Sequence, residues 1–246
     1  MRGDAFRRSV AEFTGAFALT FVGVGSIVIT GGQNIVAIAL AHGLVIAVWV
    51  SAFGHISGGH FNPAVTFGFL ITGKMSPRLA VSYWISQLAG GFFGALLISG
   101  LLPDQFTDPV KLGVPALGGG IGSGAGLVIE AILTFFLVWI IFATVADPRG
   151  SFTSVAGLAI GLTITLDALM GGPFTGAAMN PSRAFGPELV GNHWSDAWVW
   201  YIGPLIGGGL AALVYDLLYL TPGPRPLPPG PPETELEEPR PGDAAL

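Results

Sequence analysis

The stretch HISGGHFNPAVTFG, residues 55–68, places an Asn-Pro pair and several glycines within otherwise apolar sequence. A second stretch, PFTGAAMNPSRAFG at residues 173–186, has the same pattern. Asn62 and Asn180 lie 118 positions apart (180 − 62). This shared pattern indicates that the chain contains an internal repeat.

The same offset relates residues well outside the two Asn-Pro boxes. Glu12 matches Glu130, and the register continues without a gap as far as Gly91 and Gly209. Chance matches between apolar residues are common in such a chain, but a shared Glu and a shared Asn-Pro pair in one register are not. Further matched pairs are Phe17/Phe135, Leu19/Leu137, Leu40/Leu158, Gly43/Gly161, Ile46/Ile164 and Tyr83/Tyr201.

The composition is that of a membrane protein. Hydrophobic residues make up 51% of the 246 positions and charged residues 10%, whereas a soluble domain carries about 25% charged residues. Apolar runs of about the length that spans a bilayer lie near 10–30, 35–54, 80–102, 125–146, 154–171 and 197–220. We therefore expect an all-α membrane protein with six transmembrane helices.

Three spans in each half mean that the two halves cross the membrane in opposite directions. The sequence thus predicts an inverted 3+3 repeat, an arrangement found in many transport proteins, with the site near the bilayer midplane. Repeat one covers about 10–110 and repeat two about 121–220 of a channel region at 10–220.

Basic residues predict the orientation. Lys74, Arg78 and Arg149 lie in segments that six crossings place on the side of both termini, and the positive-inside rule makes that side cytoplasmic. Residues 1–9 are then a cytoplasmic N-terminus. The Pro- and Glu-rich segment 221–246 is expected to be a disordered cytoplasmic tail.

Each Asn-Pro pair is a good helix start, because proline at the first helical position lacks an N–H that would have no partner there. About ten residues follow each pair, roughly 15 Å of helix or half a bilayer. The Gly-rich lead-ins are irregular backbone, which survives at membrane depth only when buried in protein or lining a watery cavity. Two half-helices are therefore expected to meet at their N-termini, with positive dipole ends at the centre.

Other function classes lack support in the sequence. The chain has no cysteine, which excludes disulfides and thiolate metal sites. It shows no nucleotide-binding loop, metal-ligand spacing or nucleophile elbow; the GGG at 118–120 lacks the strand context of a phosphate site. We expect no enzyme activity, cofactor, metal or nucleic-acid partner.

The paired boxes and the preceding HISGGH resemble the aquaporin and glycerol-facilitator family, the major intrinsic proteins, over about residues 8–220. GGPFTGAAMNPSRAFGP and WYIGPLIGGGLAALVY are most similar to plant tonoplast intrinsic proteins and to archaeal or bacterial aquaporins. The second box departs from the family pattern, since Ser182 stands where Ala is usual. Ala184 follows Arg183, where glycerol facilitators usually have Asp, and this favours the aquaporin branch.

The resemblance implies roles for particular residues. The pore centre is formed by the boxes Asn62, Pro63, Ala64 and Asn180, Pro181, Ser182. The selectivity filter falls on His42, Ala168, Ala177 and Arg183. Backbone carbonyls along the pore come from Gly58, Gly59, His60, Gly176, Ala177 and Ala178.

Two further sets are open to alternative readings. Leu19, Ile46, Leu137 and Ile164 are assigned to the apolar pore wall, with ordinary core packing as the alternative. Glu12 and Glu130 are assigned to anchoring the lead-in loops, with a proton relay as the alternative, because acidic residues at membrane depth are too costly to be idle.

The expected function is a passive water channel that also passes ammonia, urea or peroxide and excludes protons and ions. The alternatives are a dedicated glycerol-type facilitator and an ion-coupled secondary transporter. Against the transporter, the sequence shows no intramembrane acidic residue beyond Glu12 and Glu130 that could couple ions. The resemblance also implies a homotetramer in a lipid bilayer, and we expect a multi-pass protein of the cell membrane.

Overall fold

The computed structural model describes residues 2–149 and 155–220, and within these ranges six helices are long and apolar enough to cross a membrane. They are α1 (Asp4–Thr30), α2 (Ile35–Ser57), α4 (Pro77–Leu101), α5 (Ser123–Ala146), α6 (Ala156–Thr175) and α8 (Val199–Leu220). The predicted fold class is confirmed. The boundaries agree with the predicted runs to within a few residues at most ends. The predicted tail at 221–246 lies outside the described residues.

Two short helices follow the Asn-Pro pairs, α3 (Pro63–Ile71) and α7 (Pro181–Gly191). Asn62 caps α3, because its Oδ1 accepts a hydrogen bond from Ala64 N at 2.8 Å. Asn180 caps α7 in the same way, accepting from Ser182 N at 3.0 Å. The cap side chain satisfies an N–H that has no partner within the helix.

The helix packing follows the repeat. In each half the first and third spans pack together, α1 against α4 and α5 against α8. Each half-helix packs against a span of the other half, α3 against α8 and α7 against α4. The two repeats therefore interlock and cannot be separated into independent domains.

Spans α2 and α6 cross at the centre of the molecule through a glycine pair. A Cβ on Gly43 would lie 2.3 Å from the Gly161 carbonyl oxygen, and a Cβ on Gly161 would lie 2.3 Å from the Gly43 oxygen. Such distances are far below contact, so only glycine allows the two backbones to approach this closely. Large apolar side chains face outward around the bundle, as with Ile85 and Leu166, each 65% exposed.

One end of the bundle gathers the segments that carry Lys74 and Arg149, and we call this end the basic face. Lys74 Nζ lies 2.6 Å from Asp216 Oδ1 at the end of α8. Arg149 donates to Asp147 and to the Tyr219 carbonyl. The guanidinium holds the pKa of the Asp147 carboxyl below its ordinary value. These contacts join the ends of α5 and α8 to the loop after α3.

Candidate functional site

The two half-helices meet through a reciprocal pair of hydrogen bonds. Asn62 Nδ2 donates to the Met179 carbonyl at 2.8 Å, and Asn180 Nδ2 donates to the Phe61 carbonyl at 2.9 Å. Each amide N–H₂ has a second hydrogen that these bonds leave unused. Both asparagines border the same cavity, so donor hydrogens and the positive ends of two helices converge on one point.

This cavity has a volume of about 240 Å³, and most of the predicted pore residues line it. All four predicted filter residues border it, together with the four predicted wall residues Leu19, Ile46, Leu137 and Ile164. Of the lead-in residues, Gly59, His60, Gly176, Ala177 and Ala178 border it, whereas Gly58 does not. Pro63, Ala64, Pro181 and Ser182 are buried in the first turns of the half-helices behind it.

The predicted filter residues come from three helices and a loop: His42 from α2, Ala168 from α6, Ala177 from the lead-in and Arg183 from α7. His42 Nδ1 lies 2.8 Å from the Ile38 carbonyl, and since a carbonyl only accepts, Nδ1 is the donor. Two small alanine side chains leave the space between the imidazole and the guanidinium open.

Arg183 is 1% exposed, and within the described residues its side chain makes one hydrogen bond, from Nη1 to the Gly113 carbonyl at 3.2 Å. Its Nε has no partner among the described residues, and none of the ion pairs found there involves Arg183. An ion pair with Glu188 is therefore not what holds the guanidinium. Arg183 borders the cavity, although its Nε is buried and does not reach it.

The carbonyl that holds Arg183 was not foreseen from the sequence. Lys111, Leu112 and Gly113 have φ values of 47°, 54° and 70° in succession. Two non-glycine residues in the left-handed region are unfavourable by about 1 kcal/mol or more each, and the turn they form presents the Gly113 oxygen to Arg183. The segment lies outside the part of the chain that repeats, so no sequence pattern marked it.

The two predicted anchor carboxylates bind the lead-in backbone at matched positions. Glu12 accepts from His60 N at 3.0 Å and Phe61 N at 2.6 Å. Glu130 accepts from Ala178 N at 2.9 Å and Met179 N at 2.7 Å. Hydroxyl groups add to both sets, from Ser57 at 2.6 Å and Thr175 at 2.7 Å.

This binding explains how the lead-ins keep an unfavourable backbone. Phe61 and Met179, at matched positions, have φ values of 48° and 51°, and Ala177 has 43°. Non-glycine residues avoid this region, so each needs support from its surroundings. The carboxylates supply that support by accepting from the N–H groups of Phe61 and Met179, which turns the neighbouring carbonyls toward the opposite half-helix.

Further polar side chains brace the loops. Tyr83 OH donates to the Ser57 carbonyl at 2.6 Å, and Trp200 Nε1 donates to the Thr175 carbonyl at 2.9 Å. Gln87 Nε2 reaches both Glu12, at 2.7 Å, and Thr66, at 2.9 Å. Gln87 thus links the first anchor carboxylate to the half-helix α3, which carries Thr66.

Two further acidic side chains are buried, one in α6 and one in α7. Asp167, next to Ala168 in α6, is 6% exposed, and its Oδ2 has no partner among the described residues. The prediction of no intramembrane acidic residue beyond Glu12 and Glu130 that could couple ions did not take account of Asp167, which lies within α6. Asp167 does not border the cavity. Glu188 is buried in α7 and accepts from Tyr201 OH at 2.5 Å.

Comparison with known proteins identifies the family. The family model for major intrinsic proteins matches residues 2–215. The chain belongs to the major intrinsic protein family. This is the aquaporin family of channels, so the protein is an integral multi-pass membrane channel and not an enzyme.

Similar proteins within the family agree with this assignment. The chain is 45% identical over 226 residues to "Aquaporin TIP4-4" of Zea mays, covering 88% of each chain. It is 44% identical over 232 residues to "Probable aquaporin TIP3-2" of Arabidopsis thaliana, covering 88% of this chain and 85% of the relative. Its structure is similar to the aquaglyceroporin from Plasmodium falciparum, with a TM-score of 0.78 and 25% identity over 87% of this chain and 96% of that one.

Proposed function

We propose that the protein is a passive water channel, which also passes small neutral solutes such as ammonia, urea or peroxide and excludes protons and ions. The observation that carries the proposal is the pair of asparagine amides bordering one cavity at the meeting point of two half-helices. The similarity to aquaporins of the TIP type supports water as the main permeant.

The centre would act on the orientation of water. A water molecule there accepts from the free N–H of Asn62 and of Asn180, so its own hydrogens point away along the pore. A continuous chain of hydrogen bonds for proton transfer is thereby interrupted. The converging positive dipole ends also repel cations, which is how such pores combine water flow with charge exclusion.

The filter would set which neutral molecules enter. Arg183 supplies N–H donors and positive charge, and His42 supplies a polar edge. The small side chains of Ala168 and Ala177 leave space between them. A solute sheds water on entering and recovers that loss only by bonding to these groups. Carbonyls at Gly59, His60, Gly176, Ala177 and Ala178 would continue the path, and the wall of Leu19, Ile46, Leu137 and Ile164 would bind little, so passage is fast.

A dedicated glycerol-type facilitator is the second candidate, favoured by the small side chains at positions 168 and 177. An ion-coupled transporter has less support. Glu12 and Glu130 are occupied by loop donors, and Asp167 does not border the cavity.

Stopped-flow light scattering on proteoliposomes separates these candidates. Shrinkage under an impermeant osmolyte reports water flux, and gradients of glycerol, urea and ammonia report solute flux. We expect fast water flux that persists when ionophores collapse all ion gradients. Flux that stops when the ion gradients are collapsed would place the chain among transporters. A glycerol permeability above the water permeability would make it a glycerol-type facilitator.

A matched pair of variants tests whether the flux uses this cavity. Ile164 borders the cavity, whereas Leu166 on the same helix is 65% exposed on the outer surface. Ile164→Trp should abolish most water flux because the indole fills the path. Leu166→Trp should leave it unchanged; equal flux in the two variants would contradict the assigned path.

The proposal extends to assembly and location. Membership of the family supports a homotetramer with one pore in each subunit, which native mass spectrometry of the purified protein would test. The similarity to TIP-type aquaporins supports a tonoplast location in place of the cell membrane expected from the sequence. A fluorescent fusion at the C-terminus, imaged in the source cell, would distinguish the two membranes.

A further inference from the structure

Gly23 lies against the imidazole of His42 within a short π-helical segment of α1, Leu19–Val24. A Cβ on Gly23 would be 2.6 Å from His42 Cδ2, 2.7 Å from Nε2 and 3.0 Å from Cε1. These three similar distances place the Cβ over the face of the ring, so the imidazole face occupies the space that any side chain at position 23 would need.

The imidazole is held on two sides. Its Nδ1 edge is fixed on its own helix by the bond to the Ile38 carbonyl at 2.8 Å. One face of the ring, near Cδ2 and Nε2, rests on Gly23. His42 is 7% exposed and borders the cavity, so the cavity is the side of the ring that protein atoms leave open.

We propose that Gly23 is a specificity-determining residue, because its missing side chain sets how far His42 withdraws from the filter. This inference rests on the proposed function, in which His42 forms part of the filter. A methyl group at position 23 would need the ring to move by about 1 Å to reach ordinary carbon–carbon contact. Protein interiors are close-packed, so the ring would move into the cavity and narrow the filter.

The repeat shows the same two positions filled differently in the other half. The residues 118 positions after Gly23 and His42 are Ile141 and Ile160, and both border the cavity nearer the basic face. There an aliphatic side chain stands at each position, and no ring has to be accommodated. A missing side chain thus accompanies the imidazole in the half that carries the filter.

The test compares Gly23→Ala with Gly25→Ala in proteoliposomes. Gly25 lies two residues on in the same span, and a Cβ there would meet nothing closer than Ile98 Cδ1 at 4.0 Å. Alanine is favoured over glycine in helices, so both variants should fold. We expect Gly23→Ala to lower the ratio of urea to water permeability by about tenfold, the lower end for one methyl group in a selective pocket. Gly25→Ala should leave the ratio as in the wild type.

Removing the ring gives the decisive control. In the His42→Ala background, adding Gly23→Ala should not change the ratio, because there is no imidazole to displace. A change of the same size in that background would overturn the inference, as would an unchanged ratio in Gly23→Ala alone. Should Gly23→Ala fail to fold while the double variant folds, the ring cannot yield into the pore, and the inference is equally wrong.

These outcomes are distinct from failure of the proposed function. If wild-type vesicles conduct neither water nor urea, the channel proposal itself fails. If wild-type vesicles conduct and only the response to Gly23→Ala is absent, the channel proposal stands and the role of Gly23 is rejected.

Discussion

The two halves of the molecule share a backbone arrangement, a half-helix preceded by an anchored lead-in loop, which we call the frame. They differ in the side chains that line the cavity around it. Glu12 and Glu130 bind the lead-in loops at equivalent backbone positions. The four residues of the proposed filter have no such equivalence. Their partners in the other half are Ile160 for His42, Val50 for Ala168, Gly59 for Ala177 and Val65 for Arg183.

This difference separates two tasks within one repeat. The shared frame places two helix N-termini and two amides at the centre, which requires symmetry. The proposed filter would require donors at one end only, and the polar residues at its positions occur in only one half. Variants that damage the frame should therefore affect folding, and variants that change the filter should affect which molecules pass.

The largest effects are expected from the anchors, and they should differ between the halves. Each oxygen of Glu12 accepts two hydrogen bonds: Oε1 from Ser57 Oγ and His60 N, Oε2 from Phe61 N and Gln87 Nε2. Glu12→Gln therefore leaves two donors facing an amide N–H₂, whichever way the amide turns. At about 1–3 kcal/mol for each unpaired donor, the variant should lose most of its folded yield.

Glu130→Gln should be less damaging. Its Oε2 accepts only from Met179 N, while Oε1 accepts from Thr175 Oγ1 and Ala178 N. The amide can turn so that one donor is unpaired, at about 1–3 kcal/mol. Yield of monodisperse protein and permeability per channel measure both variants. Normal yield with no flux in either one would support a proton relay in place of an anchor.

The next largest effect concerns the charge that only one half carries. Arg183→Val gives this position of the proposed filter the same residue as its partner in the other half, Val65. It also removes a positive charge at the pore entrance. Such a charge acts over a few ångströms with an energy of several kcal/mol at an intermediate dielectric, so we expect proton leakage to rise by about tenfold or more. A pH-sensitive dye inside the vesicles measures it.

Arg183→Lys serves as the control for this variant. It keeps the positive charge but loses the planar guanidinium, so proton exclusion should largely persist while the solute preference changes. If the Arg183→Val variant excluded protons as effectively as the wild type does, the two half-helices alone would account for the barrier to protons.

These filter predictions could be framed from the sequence because the repeat located the residues. The 118-residue register marked both boxes and both anchors, and the apolar runs marked the six spans. Two parts of the site could not be found this way. Gly113 acts through its carbonyl, which a left-handed turn in a non-repeated loop positions. Gly23 acts because it lacks a side chain, which leaves room for the His42 ring. Asp167 was overlooked inside an apolar run, and its burial depends on how α6 packs.

A smaller effect should follow from the size of the filter. Ala168→Ile places a bulky side chain where the cavity is bordered by a methyl group. Urea passage should fall by about tenfold more than water passage, since pockets discriminate by about this much for a small change in volume. Val50→Ile at the partner position, which does not border the cavity, should leave the ratio unchanged. An unchanged ratio in Ala168→Ile would remove position 168 from the filter.

The smallest effect is expected at the one difference between the two boxes themselves. Ser182 Oγ donates to Asn180 Oδ1 at 2.8 Å, in addition to the backbone N–H of Ser182. At the matched oxygen, Asn62 Oδ1 accepts from Ala64 N. Ser182→Ala removes one buried hydrogen bond and leaves the cap in place, so the free energy of unfolding should fall by about 0.5–1.5 kcal/mol. Water and urea permeability should stay within the error of the wild type, because Asn180 Nδ2 keeps its bond to Phe61.

The reverse variant, Ala64→Ser, can place a hydroxyl at the same distance from Asn62 Oδ1, since the two asparagines have similar φ and ψ values. It should raise the midpoint of thermal unfolding in detergent by a smaller amount, because position 64 is fully buried and the added oxygen must fit a packed site. Increased proton leakage in Ser182→Ala would contradict this view, since the hydroxyl would then tune the asparagine donor itself and the two boxes would differ in function as well as in stability.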